Sequence, residues 1–341
     1  MTFGDRLQHA WWEKRPLLIS RLLQPLATVY RVVAALHRCI GTKQRGHLPV
    51  PVIVVGNLIV GGAGKTPVVI AMVQALKAKG YRPAVISRGY GRAGRGSMKV
   101  DIGSRASEVG DEPLLIRLRT GVPVYVDRDR ASVARRLCSE HPEVDILVSD
   151  DGLQHWRLPR SVEVIVFDDR GAGNGLLLPA GPLRGPLPVR LHDDTLVLYN
   201  APGPTAPLPG WQTERALAGA SALEDWWQGG QPRLATLHAL KGREVWAVAG
   251  IAAPGKFFAM LEAQGLQVRR CPLPDHHGFD HLPWPSEARD VVVTEKDAVK
   301  LRAERIAPGT RVWVVTLDLR LPSPMLHALL ARLPAAMPPR S

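Results

Sequence analysis

Lys65 and Thr66 close a glycine-rich stretch, Gly61-Gly62-Ala63-Gly64-Lys65-Thr66, which follows an apolar run and precedes a helical one. Such a loop turns backbone N–H groups and a helix N-terminus toward an anion, and a chain of phosphates suits it. Lys65 would reach the β- and γ-phosphates of a nucleoside triphosphate, and the Thr66 hydroxyl would hold Mg2+. The spacing departs from the standard motif: the position five before Gly64 is Ile59, with Gly61 and Gly62 in partial compensation. A related ATPase class carries a second lysine where this chain has Val60, which argues against that class. The same residues could form a plain glycine-rich turn, but the flanking strand and helix favour phosphate.

Carboxylates and histidines supply the other candidate chemistry. Val148-Ser149-Asp150-Asp151 ends an apolar strand with two acids, followed by Gly152-Leu153-Gln154-His155. An acid there can support Mg2+ or orient a reacting oxygen. Gly110-Asp111-Glu112-Pro113 places two carboxylates ahead of a helix. Taken alone this is a helix cap with an acidic first turn, although Asp111 could also accept a hydroxyl proton. In Pro274-Asp275-His276-His277 an acid lies beside two histidines, which fits an Asp–His pair better than a metal site, for want of a second His/Cys cluster. Thr294-Glu295-Lys296-Asp297 alternates charge at a strand end, either to meet a ligand or as a solvated ion-pair turn.

The elements that must position these residues alternate strand and helix. Val52–Gly56, Ala84–Ser87, Asp145–Ser149 and Val162–Asp168 read as strands, and Pro67–Lys79 as a helix stopped by Gly80. This order predicts a parallel sheet with helices on both faces. Pro and Gly accumulate over 182–188 and again over Ala201–Gly210, which reads as a linker or a long loop. A second α/β pattern follows, with strands at Val245–Ile251, Val291–Thr294 and Arg311–Leu317. The Pro-rich stretch Leu333–Ser341 reads as frayed.

The 341 residues, 45% hydrophobic and 22% charged, are enough for two domains with real cores. The formal charge of +13 favours an anionic partner. Three scattered cysteines, with no CxxC pair, suggest no zinc site or disulfide framework and fit a reducing compartment. No signal peptide and no uninterrupted apolar span of membrane length is expected. Between Arg6 and Arg45 there are eight basic residues and one acid, Glu13. Leu22, Leu26, Val29, Val33, Leu36 and Ile40 fall on one side of a helix, and Arg21, Gln24, Thr28, Arg31, Ala35 and Arg38 on the other. With Trp11 and Trp12 nearby, this helix reads either as an interfacial membrane anchor or as a helix packed on its own domain.

Eight segments, in this order, resemble the tetraacyldisaccharide 4'-kinase (lipid A 4'-kinase) family. They are Val55 to Pro67, Ser87-Arg88-Gly89-Tyr90-Gly91, Gly110 to Pro113, Asp150 to His155, Gly181-Pro182-Leu183-Arg184, Ala249-Gly250-Ile251, Asp275-His276-His277 and Thr294 to Lys300. Leu153 stands where the family commonly has an aromatic residue, and the polar positions around it are kept. The resemblance implies an α/β fold: a P-loop NTPase-like α/β/α domain and a second, smaller α/β/α domain, joined by a hinge. With the N-terminal amphipathic helix, the expected organisation is 1–45 membrane-associated, 46–190 kinase core, 191–315 second domain, and 316–341 a C-terminal segment. It implies transfer of the ATP γ-phosphate to the 4'-hydroxyl of tetraacyldisaccharide 1-phosphate, an anionic glycolipid, at the cytoplasmic face of the inner membrane. ATP and Mg2+ are the implied cofactors, with a monomer expected and no nucleic-acid partner.

Carried onto this sequence, the resemblance makes Asp111 the base and His276 its partner, and keeps Lys65 catalytic. Nucleotide contacts fall to Asn57, Val60, Gly61, Gly62, Ala63, Gly64, Lys65, Thr66 and Pro67. Thr66, Asp150 and Glu112 are assigned to the metal. Arg130, Asp151, Gln154 and His155 are assigned to the acceptor. Because His276 is expected in the second domain and Asp111 in the first, hinge closure would assemble the pair. Two other classes stay open on residues alone: a membrane-associated regulatory ATPase without a lipid acceptor, and a nucleic-acid-binding NTPase. The second is weakened by the concentration of basic residues at the N-terminus and the lack of interleaved aromatics.

Overall fold

A computed structural model describes residues 3–336, so the final part of the stretch expected to fray, 337–341, lies outside the described residues. The chain forms, in order, α1 (Phe3–Trp12), α2 (Leu18–Leu22), α3 (Gln24–Lys43), β1 (Val52–Gly56), α4 (Lys65–Ala78), β2 (Pro83–Ser87), β3 (Met98–Lys99), α5 (Ala106–Val109), α6 (Asp111–Thr120), β4 (Val124–Val126) and α7 (Arg130–Glu140). It continues through β5 (Ile146–Asp150), β6 (Val162–Phe167), β7 (Thr195–Tyr199), β8 (Trp211–Gln212), β9 (Glu214–Ala222), α8 (Leu223–Trp227), α9 (Leu234–His238), β10 (Glu244–Ala249), α10 (Pro254–Ala263), β11 (Gln267–Pro272), β12 (Asp290–Thr294), α11 (Glu295–Ala298), β13 (Arg311–Arg320) and α12 (Ser323–Leu330).

Two compact units emerge, and neither is one continuous segment. Unit 1 holds residues 1–88, 127–214 and 320–341; unit 2 holds 89–126 and 215–319. The expectation of a core over 46–190 followed by a second domain therefore differs from the division observed. Residues 89–126, with Asp111 and Glu112, fold with 215–319 instead. The excursion begins just past β2 at Gly89, whose φ is +65.

In unit 1 the strand neighbours run β2-β5-β1-β6-β7-β8, all parallel. β1, β2 and β5 are buried at every residue, as expected of strands covered on both faces. The register sets Val55 beside Asp150, so the phosphate loop and the Asp150-Asp151 turn leave the sheet at one carboxyl end. In unit 2, β3 pairs antiparallel with β4, and a second sheet has the order β11-β10-β12-β13-β9. Leu237, Val245, Ala247, Phe258, Leu261 and Val292 are among its core.

The N-terminal helices belong to unit 1 and dock by a face that was not anticipated. Ala27 is buried among Ile59, Leu177, Ala180 and Leu183, with Trp12, Leu23 and Tyr30 packed around them. Tyr30 donates to the Arg184 carbonyl (2.9 Å). Gly41 lets α3 cross directly over Trp156, where any Cβ would stand 2.6 Å from the Trp156 Cβ. Arg38 and Arg160 each lie over the Trp156 ring, at 4.6 and 4.8 Å from its centroid. The single helix expected over the apolar stripe is broken at Leu23: Leu22 ends α2, while Leu26, Val29, Val33, Leu36 and Ile40 lie on α3, and all of them are left exposed. Of the two sequence readings, the helix packed on its own domain is met in part: α3 packs on unit 1, but not by the apolar stripe. No helix of the described residues is long and apolar enough to cross a membrane.

Candidate functional site

Unit 1 builds its site where β1 and β5 end. Asn57, fully buried, donates to the carbonyls of Ile59 (2.9 Å) and Gly61 (3.1 Å) and so closes the loop on itself. Its Oδ1 accepts from the Lys65 ammonium (3.1 Å). The loop is pinned from outside too: Val60 N–H donates to the Pro182 carbonyl, Arg170 to the Gly62 carbonyl (2.7 Å), and Asn200 to the Ala63 carbonyl (3.2 Å). Thr66 and Pro67 then enter the first turn of α4. The helix starts two residues before the Pro67 expected from sequence, so Lys65 itself stands at its N-terminus.

Asp150 is buried in the last position of β5 and accepts from Ser87 Oγ (3.0 Å). Asp151 turns outward at φ +49, a left-handed conformation that costs a non-glycine residue energy and persists where the surroundings enforce it. Its Oδ1 stands 3.6 Å from Lys65 Nζ and 3.2 Å from Arg184 Nη1. Burial alone would raise the Asp151 carboxyl, but Lys65, Arg184 and Arg130 outweigh it and hold the group below the usual carboxylate range.

Beside Asp151 opens a cavity of about 500 Å³, lined in part by Arg88, Arg130, Gln154, His155 and Arg184, and by His37 and Ile40 of α3. Arg130 is buried and donates to the Asp151 carbonyl (3.1 Å), and its Nη1 meets His155 Nε2 at 2.5 Å. Burial pushes the Arg130 guanidinium down to about 10, and burial with Arg130 beside it pushes His155 down to about 3. His155 is therefore a neutral acceptor for Arg130 rather than a second cation. Gln154 donates to the Asn57 carbonyl (3.2 Å), while its Oε1 and the Arg130 Nε are buried without a partner among the described residues. Buried polar atoms left open at a cavity mark a place where a polar ligand would complete the hydrogen bonding. All four expected acceptor residues (Arg130, Asp151, Gln154 and His155) line this cavity. Arg88 and Arg184 line it as well; both lie in segments noted for their resemblance, yet a loop arginine has no pattern that distinguishes it from a solvated charge.

Unit 2 builds a different constellation. Asp111 opens α6 after Gly110, whose φ is +95. The acidic first turn expected from sequence is present, but Gly110 takes the N-cap position and no side chain caps the helix; Asp111 Oδ1 accepts from the neighbouring Glu112 N–H (2.9 Å), and its Oδ2 meets His276 Nδ1 at 2.9 Å. Burial would raise the Asp111 carboxyl, but the His276 hydrogen bond and the charges of Lys296 and Lys300 hold it below the usual range. His276, at φ +62, has its pKa raised chiefly by the hydrogen bond to Asp111. Its adjacent Asp275 is farther away, at 3.9 Å, so the hydrogen-bonded Asp–His pair is not the sequence-local one. Nor does closure about a hinge assemble Asp111 and His276: they are already bonded within one unit, because residues 89–126 fold with 215–319. His277 instead accepts from the Phe279 N–H (3.2 Å), a loop-shaping role.

A Cβ on Gly110 would lie 3.1 Å from both Gly89 Cα and the Tyr90 carbonyl, at a φ that side chains rarely adopt. Gly110→Ala is expected to cost at least about 1 kcal/mol of stability and to displace Asp111. Thermal unfolding beside turnover would check this, and an unchanged kcat would show that the Asp111 position tolerates the shift.

Among the described residues no three His, Cys, Asp or Glu side chains gather as a metal cage. Thr66, in the first turn of α4, and Asp150, at the end of β5, offer hard oxygen donors of the kind that suit Mg2+ together with phosphates and water. Glu112 belongs to unit 2, where its Oε1 is bonded to Lys296 Nζ at 3.1 Å.

Comparison with known proteins identifies the family. The family model for tetraacyldisaccharide-1-P 4'-kinase matches residues 19–334. Proteins named tetraacyldisaccharide 4'-kinase are similar to the chain over nearly its whole length. That of Leptothrix cholodnii is 51% identical, covering 98% of this chain and 97% of its own. That of a Janthinobacterium strain is 44% identical, covering 94% of each. A crystal structure titled as "apo" form LpxK from Aquifex aeolicus in complex with ATP superposes with a TM-score of 0.76 at 26% identity, covering 93% of this chain and 100% of that one. A kinase is thereby favoured over a regulatory ATPase, and the chain belongs to the tetraacyldisaccharide-1-P 4'-kinase family of lipid A biosynthesis.

Proposed function

We propose that unit 1 holds ATP on the Asn57–Pro67 loop and the sugar-phosphate head of the acceptor in the arginine-lined cavity, and that Asp111 of unit 2 is the base. The observation that carries this reading is the 3.6 Å approach of Lys65 Nζ to Asp151 Oδ1: the lysine of the phosphate loop touches a wall of the cavity. In the reaction the 4'-hydroxyl oxygen attacks the γ-phosphorus, its proton passes to Asp111, and the bond from phosphorus to the ADP oxygen breaks. Lys65 leaves Asp151 to follow charge on the transferring group, while loop N–H groups hold the β-phosphate. Mg2+, when bound with ATP through Thr66 and Asp150, supplies neutralising charge to the β- and γ-phosphates. His276 orients the Asp111 carboxylate.

The test incubates labelled ATP and tetraacyldisaccharide 1-phosphate with the protein in detergent micelles. Label entering the lipid supports the reading; ATP hydrolysis with no labelled lipid overturns it. Arg184→Met, which removes one charged hydrogen-bonding group from the cavity, is expected to raise the lipid KM about 10- to 100-fold, with the ATP KM kept. Equal loss for both substrates would move Arg184 out of the acceptor site.

We infer further that the exposed stripe of α3 lies in the interface of the inner membrane's cytoplasmic leaflet, with the basic side chains of the helix at headgroup level. The acyl chains of the acceptor then remain in the bilayer, and Ile40, on the stripe and on the cavity wall, marks where the head leaves it. Burying a large apolar side chain is worth about 1.5–3 kcal/mol, so Leu26→Asp with Val33→Asp is expected to weaken sedimentation with anionic phospholipid vesicles at least tenfold. Undiminished binding would remove the helix from the interface.

A further inference from the structure

His276 is held from both sides of its ring. Nδ1 faces Asp111 Oδ2 at 2.9 Å, and Nε2 faces Lys296 Nζ at 3.4 Å. Lys296 projects from α11, a short turn fixed at its start by Thr294 Oγ1, which accepts from the Asp297 N–H (3.2 Å). The same ammonium reaches Glu112 Oε1 (3.1 Å) and Asp275 Oδ1 (3.0 Å). Three donors on one nitrogen thus meet three acceptors: two carboxylates and an imidazole nitrogen. The side chain is only 17% exposed. Burial would lower its pKa, but Glu112, Asp111 and Asp275 outweigh burial and keep it charged.

A charged ammonium can only donate. The nitrogen it faces must then offer a lone pair, which puts the imidazole proton on Nδ1, the nitrogen facing Asp111. We propose that Lys296 is a positioning residue that fixes His276 as the Nδ1–H tautomer by donating to Nε2, so that His276 donates to Asp111 and leaves the remaining carboxylate lone pairs for the acceptor hydroxyl. The opposite tautomer would present a lone pair to the Asp111 carboxylate and an N–H to an ammonium, two repulsive contacts in place of two attractive ones. Asp275, which accepts from both the Lys296 ammonium and the His276 backbone N–H (3.1 Å), ties the lysine to the left-handed turn that aims the ring. Lys300, 3.9 Å from Asp111 Oδ2 and bonded to Asp297 at 3.1 Å, contacts the carboxylate rather than the ring and cannot substitute.

This inference rests on Asp111 as base, and its test separates the two. The chain has 11 histidines, so the His276 ring nitrogens are assigned in the 15N spectrum of histidine-labelled protein by comparison with His276→Gln, at pH 8.5. The wild type is expected to show a protonated Nδ1 and a lone pair on Nε2. Lys296→Met is expected to shift the ring toward the Nε2–H tautomer and to lower kcat about 10- to 100-fold, with the ATP KM little changed. Lys296→Arg, which still donates and still pairs with Glu112 and Asp275, is expected to restore both. A wild-type spectrum with Nε2 protonated overturns the proposal even if Lys296→Met fails to fold. So does Lys296→Met with an unchanged tautomer and unchanged kcat. If Asp111→Asn keeps full activity, the base assignment fails, while the tautomer result still stands or falls by the spectrum.

Discussion

Asp111→Asn is expected to lower kcat for phosphoryl transfer to the lipid about 100- to 10,000-fold, the range general bases contribute. The substitution is close to isosteric. Asparagine keeps Oδ1 for the Glu112 N–H at the start of α6, so that local bond survives. Its amide can still pair with His276 if the ring changes tautomer. What it loses is the ability to take a proton. The fold should therefore stay intact, which thermal unfolding would verify, while turnover collapses and ATP affinity holds. Because Asp111 and His276 are joined at 2.9 Å inside one unit, their losses should not add. The double variant Asp111→Asn, His276→Ala is expected to turn over about as slowly as Asp111→Asn alone. Full additivity would mean that His276 acts separately from the base. Undiminished turnover of Asp111→Asn would leave Asp111 a first-turn residue of α6 with no part in proton transfer.

Much of this was legible in the chain, and the illegible parts have physical reasons. The alternation of β-branched runs with helical stretches gave the parallel sheet, because period and propensity are local properties. The phosphate loop was legible despite its irregular spacing, since strand, glycines, lysine and helix are contiguous. What compensates for the missing first glycine was not visible: Asn57 curls back onto the Ile59 and Gly61 carbonyls. The division into units was misjudged because it depends on long-range packing. Nothing in the composition of residues 89–126 announces that they fold with a segment beginning more than a hundred residues later. That error carried the mistaken idea that closure assembles Asp111 with His276. For α3 the two visible faces were read correctly, but the helix docks by a third, made of small or mixed residues such as Ala27, Tyr30 and Gly41, which carry no periodic hydrophobic signal. Arg88, Arg184 and Lys296 acquire meaning only from what surrounds them.

Lys65→Ala should be the other severe loss, about 100- to 1,000-fold in kcat, as when one donor to developing charge is removed. The reason lies in what Lys65 does before ATP arrives. Its ammonium bridges Asn57 Oδ1, the residue that closes the loop, and Asp151, which lines the cavity. It is thus held extended and nearly dehydrated, at 11% exposure, ready to exchange one anionic partner for another. Removing it leaves Asp151 to its arginine neighbours and the loop without its closing cation, so both kcat and ATP affinity should suffer. Lys65→Arg would not restore activity, since the planar guanidinium cannot occupy the place of a compact ammonium between two fixed oxygens. Label transfer measured beside nucleotide binding separates the two effects. Normal ATP affinity with lost transfer would confine Lys65 to the transition state, and lost affinity with normal kcat at saturation would make it a binding group only. Loss of both is the result expected of a lysine that organises the loop and then follows the phosphoryl group as it moves.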